Sequence, residues 1–167
     1  MAGIPGICTR VKSHGYEESY FNYLNTTKLE DIKNIFRNVR DRLESIQCKV
    51  VFVPITTMNI RNWNAHRFDI GKTSKLLYFP EYEIMQAHLN HLIKQINKFI
   101  TMTNELKNLV TPFLHTYVHK SSGLKTRYIN SKLVDGVHPT ESLSEKWKIQ
   151  LLRAMEVNEE NMKMFTM

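Results

Sequence analysis

The chain has 167 residues, 42% hydrophobic and 23% charged, with a formal net charge of +7 and only 6 glycines, 5 prolines and 2 cysteines. This length predicts one domain with a sizeable core, and the composition excludes a disordered chain or a disulfide-built one. The longest apolar run, Val50 to Val53, is far too short to cross a bilayer. No basic n-region precedes the apolar Ala2–Cys8 stretch, so it does not read as a signal peptide. The expected setting is the cytoplasm or nucleus, with Cys8 and Cys48 reduced and no membrane partner.

Residues 1–15 read as loop, with Gly3 and Gly6 flanking Pro5, like the tail of a strand. Tyr16–Tyr23 is aromatic-rich and reads as a short helical turn or a loop. A helix is predicted from Thr27, with Thr26 or Thr27 as N-cap and Glu30 and Asp31 in its first turn. Its apolar face is Leu29, Ile32, Phe36, Val39, Leu43 and Ile46. Cys48–Ile55 is a β-branched and aromatic run closed by Pro54, the pattern of a strand buried on both faces of a parallel sheet. Thr56–Trp63 is expected to be a polar loop at the strand's C-terminal end, where sites form in open α/β sheets. From Glu81 a second helix of about 25 residues carries an apolar stripe from Ile84 to Leu106.

A second strand is expected over Val110–Val118, with Pro112 at its start. Ser121-Ser122-Gly123 turns the chain, and Leu124–Leu133 reads as a basic loop. A final helix is predicted from Ser142, with Glu145 completing a capping-box spacing and Leu143, Trp147, Leu151 and Met155 on its apolar side. Residues 157–167 are expected to form a flexible tail, which leaves 1–156 as the domain. Strands alternating with helices predict a three-layer α/β fold, a flavodoxin-like parallel sheet incomplete at its N-terminal side.

Between the second strand and the last helix lies Lys132-Leu133-Val134-Asp135-Gly136-Val137-His138-Pro139-Thr140. An aspartate three residues before a histidine can fix the imidazole tautomer and stabilise the imidazolium. His138 could then take a proton from a serine and return it to a leaving group. This order of strand, loop, D-G-V-H-P-T and capped helix resembles the D-x-x-H block of SGNH (GDSL-type) hydrolases, in particular divergent members associated with mobile elements. The resemblance implies an ester-hydrolase ancestry with Asp135 and His138 as catalytic residues. It also sets Ala2–Arg10 beside the family's G-x-N-D block, with Gly3 and Gly6 in the oxyanion region. There the asparagine position holds Pro5 or Cys8, neither of which can donate as an amide side chain.

No Gly-Asp-Ser triplet occurs in the chain. Loss of a triad nucleophile costs orders of magnitude in rate. The expectation is therefore the C-terminal portion of such a domain, a fragment or a non-catalytic derivative, acting on an ester only if a serine is supplied from outside. An unpaired sheet edge would invite self-association.

The alternative is a basic nucleic-acid-binding or scaffold module. No acidic residue lies between Leu106 and Val134, while Lys120, Lys125, Arg127 and Lys132 interleave with Tyr117 and Tyr128. The histidine pairs His88/His91 and His115/His119 lack accompanying cysteines or carboxylates, so neither a metal nor a cofactor is expected.

Overall fold

The computed structural model describes residues 8–13, 16–23, 29–71, 82–114, 119–122, 125–128 and 132–164. For 8–13, 16–23, 82, 119–122, 125–128 and 162–164 it describes the backbone alone. Strands β1 (Cys8–Ser13) and β2 (Tyr16–Tyr23) form an antiparallel hairpin with Cys8 opposite Tyr23. Helices α1 (Leu29–Glu44), α2 (Ile60–Asp69) and α3 (Tyr82–Glu105) follow. A second antiparallel hairpin, β3 (His119–Ser122) with β4 (Lys125–Tyr128), precedes α4 (Glu141–Met164).

The flavodoxin-like parallel sheet is not formed. Among the described residues the strands pair only within these two antiparallel hairpins, and helices dominate. The physical reason lies in the run expected to be a central strand. Phe52 and Pro54 are buried, as the apolar pattern implies, but the backbone of this segment is satisfied by side chains of α3. Asn104 accepts from the Phe52 N–H at 3.0 Å and donates to the Phe52 carbonyl at 2.8 Å. Asn97 does the same for Ile55, at 2.7 and 2.8 Å. Gln86 donates to the Met58 carbonyl at 2.7 Å and accepts from the Ile60 N–H at 3.0 Å. A primary amide presents a donor and an acceptor side by side, so one side chain can stand in for one residue of a neighbouring strand.

The run expected as the second strand meets the same solution. Asn158 on α4 accepts from the Val110 N–H and donates to its carbonyl at 3.0 Å. Thr111 is buried and accepts from Asn104 at 3.0 Å. Residues 115–118 of that run lie outside the described residues. Asn158 is only 2% exposed, and α4 runs through it to Met164, where a flexible tail was expected.

Several local expectations also shift. Tyr16–Tyr23 is a strand, and the basic loop contains β4. The polar loop after Ile55 turns into α2 at Ile60. The last helix starts at Glu141 rather than Ser142, because the Thr140 hydroxyl, just past Pro139, accepts from the Leu143 N–H at 3.4 Å.

The main core joins α1, the segment between α1 and α2, and α3 through Ile32, Phe52, Met58, Leu89, Ile96 and Ile100. Phe36 meets Phe52 edge-on, at 5.0 Å between ring centroids. The apolar face expected for α1 is buried only at its N-terminal half; Val39, Leu43 and Ile46 remain exposed. A smaller cluster packs Leu133 and Leu143 against Trp147, whose indole N–H donates to the Leu114 carbonyl at 2.9 Å.

Replacing Asn104 by Leu keeps its bulk and strips the Phe52 backbone of both partners. Loss of about 2–4 kcal/mol in urea unfolding is expected, the scale for orphaning buried polar groups. Asn34→Ala, on the exposed side of α1, should change stability by no more than about 0.5 kcal/mol.

Candidate functional site

The Lys132–Thr140 loop closes on itself before α4 begins. Leu133 pairs with Pro139 across it, the Val134 N–H donates to the His138 carbonyl at 2.8 Å, and the Thr140 N–H donates to the Lys132 carbonyl at 3.0 Å. It is pinned at both sides: Leu133 enters the small cluster and Val137 the main core.

At its tip, Gly136 presses on the N-terminus of α2. The Asn59 N–H donates to the Gly136 carbonyl at 2.7 Å, while the Asn59 side chain caps α2 by accepting from the Asn62 N–H at 2.8 Å. Gly136 has φ +86°, and a Cβ there would stand 2.6 Å from the Asn59 carbonyl oxygen. Left-handed backbone and close approach both demand glycine at this position.

This loop brings Asp135 and His138 together. Asp135 is buried, at 7% exposure, whereas the His138 side chain is 60% exposed. The carboxylate Oδ1 accepts from the Val137 N–H at 2.9 Å and from the His138 N–H at 2.8 Å. Its Oδ2 lies 2.6 Å from His138 Nδ1. Burial pushes the Asp135 carboxyl up, but the hydrogen bonds from the His138 backbone, the His138 ring and the Val137 backbone outweigh it. They hold the group below its ordinary value. An ionised carboxylate can only accept, so the proton sits on Nδ1 and Nε2 of the neutral ring carries a lone pair. The arrangement can accept a proton at Nε2 and stabilise the resulting imidazolium.

Trp63, one turn into α2, flanks the imidazole at 5.9 Å between ring centroids. Sequence reasoning placed Trp63 and Asn59 in a polar loop and missed both as supports of the site. The readable signal was Asn59 itself, a favoured N-cap residue just before Ile60.

Among the described residues, Asp135 is the hydrogen-bond partner of the His138 ring, and no serine hydroxyl bonds to it. Gly3 and Gly6 lie outside the described residues. Lys120, Lys125 and Arg127 fall on the β3–β4 hairpin, away from the loop in sequence, and their side chains lie outside the described residues. Lys132 is half-buried at the base of the loop. Among the described residues, no cluster of three or more histidine, cysteine or acidic side chains could hold a metal ion. No described helix is long and apolar enough to cross a membrane. In comparisons with known proteins, the chain matches no family model, no curated protein and no solved structure.

Gly136→Ala should cost about 2 kcal/mol or more, from positive φ and contact with Asn59. Its His138 ring resonances should lose the signature of the Asp135 contact. The acid response follows from the lowered carboxyl pKa. The ionised group stabilises the fold fully above the ordinary aspartate value of about 3.9, and that contribution fades as pH falls through the lower folded value. Asp135→Asn should therefore be less stable at neutral pH and lose less further stability on acidification below about pH 4, in unfolding curves collected across that range.

Proposed function

We propose that Asp135 and His138 form an acid–base couple of the SGNH ester-hydrolase type, in a chain with no Gly-Asp-Ser nucleophile and hence no efficient turnover of its own. The observation that carries this reading is the 2.6 Å contact between a buried, triply bonded carboxylate and the Nδ1 of an exposed imidazole. Asp135 holds the ring in the tautomer that leaves Nε2 basic, and its charge offsets the proton Nε2 acquires. A hydroxyl delivered to Nε2 from outside the described residues would be activated for attack on an ester carbonyl, and the same proton would return to the leaving alcohol.

The expected activity toward an activated aryl acetate is slow, of the order of free imidazole. It should vanish in His138→Ala, fall in Asp135→Asn and resist a serine-directed phosphonate. Fast, phosphonate-sensitive turnover would refute the absence of a nucleophile. A rate unchanged in His138→Ala would refute the acid–base role.

The β3–β4 register favours a second reading, a basic module for nucleic acid. Lys120 stands opposite Arg127 and Ser122 opposite Lys125, so three cationic positions share one face of the ribbon. Like charges directly opposite each other repel, and a phosphate backbone would neutralise them. Oligonucleotide binding should then weaken steeply with salt, log K falling by about 0.7 per single-strand phosphate contacted for each unit of log salt. Salt-insensitive binding would rule this reading out.

A further inference from the structure

We propose that Arg67 and Trp63 form an anion-recognition element beside the Asp135–His138 couple, taking a carboxylate or phosphate carried by the molecule that meets the imidazole. The placement beside His138 rests on the acid–base reading; the anion site itself does not. Trp63 and Arg67 lie one turn apart on α2, whose N-terminus supports the Gly136 loop. The Trp63 ring touches His138 on one side of the cluster, at 5.9 Å between centroids. The Arg67 guanidinium carbon lies 6.0 Å from the same ring, and the His66 ring 6.4 Å from it. One indole thus carries three cationic or ionisable neighbours: His138, His66 and Arg67.

Among the described residues, no ion pair joins Arg67 to a carboxylate, whereas Arg37, Arg40 and Lys107 each have one. Arg67 Nε is also the buried side-chain nitrogen among the described residues that has no hydrogen-bond partner. Burying a guanidinium nitrogen unbonded is costly. The guanidinium carbon stands 6.0 Å from the Trp63 ring centroid, at the outer limit of cation–π range, and the residue as a whole is half-buried, so an anion would meet the outer guanidinium nitrogens rather than Nε. Arginine presents a planar fork bidentately to carboxylate or phosphate. A ligand with a flat or apolar middle over Trp63 and an anionic end on Arg67 would bring its reactive end to His138 Nε2. The substrate class assigned is therefore an anionic ester, not a neutral short-chain one.

NMR titration of the whole chain with inorganic phosphate, succinate and neutral acetamide tests this. Phosphate or succinate should move the Trp63 indole and His138 ring resonances saturably, and whichever binds more tightly identifies the anion class. Acetamide should move neither, and the Trp147 indole, bonded to Leu114, should stay in place. Arg67→Lys keeps the charge but loses the fork, so affinity should fall about tenfold; Arg67→Gln should abolish binding. Should Arg67→Gln not fold, Arg67→Lys decides. Equal affinity in the Arg67 variants, non-saturable shifts, or equal movement of Trp147 would overturn the proposal. Failure of the acid–base reading appears separately, in the aryl acetate assay.

Discussion

Among the described residues, no strand neighbours the segment around Phe52, Ile55, Met58 and Ile60, whose backbone groups bond instead to side chains of α3, and this constraint governs the molecule. A buried N–H or carbonyl left unpaired costs about as much as the hydrogen bond it lacks. Helix α3 meets that demand with Gln86, Asn97 and Asn104, each bonding both a donor and an acceptor of the segment. The same helix supplies Leu89, Ile96 and Ile100 to the core. Its buried side is therefore a double stripe: apolar residues for packing, amides for the backbone beside them. Asn158 of α4 repeats the device on Val110, tying the last helix to the chain that follows α3.

The candidate site hangs from this arrangement. The clamped segment ends at Asn59, which caps α2 and bonds the Gly136 carbonyl. Val137 reaches into the same core that the amide stripe borders. The Asp135–His138 loop is thus seated by a rigid helix start on one side and by Leu133, Leu143 and Trp147 on the other. The imidazole projects, as does Val134 on the other side of Asp135. A buried carboxylate with its bonds filled, holding an exposed ring, is the division of labour that proton transfer at a surface requires: one group fixed, the other accessible. The departure from a parallel sheet leaves this division intact, because the hydrogen bonds to the Asp135 carboxylate come from its own loop.

Much was legible in the residues alone. Periodicity located α1 and α3, whose stripes are long, and the Asp135-Gly136-Val137-His138 spacing foretold a contact that a short Gly-containing loop can make by itself. Local interactions settle such features, so local pattern suffices. The α/β architecture was misread for a physical reason: a β-branched apolar run reports that a segment is extended and buried, but says nothing of what bonds its backbone. The apolar stripe of α3 carries no sign that Gln86, Asn97 and Asn104 bond that backbone.

By itself the sequence determined the long helices, the burial of Phe52 and Pro54 and the contact of Asp135 with His138, because each follows from local pattern. Tertiary structure alone decided that amide side chains, rather than strands, would satisfy the buried backbone. It likewise decided that Trp63 and Arg67 would stand beside the imidazole. Those relations join residues from under thirty to more than seventy positions apart, and only close packing of α2, α3 and the loop brings them together.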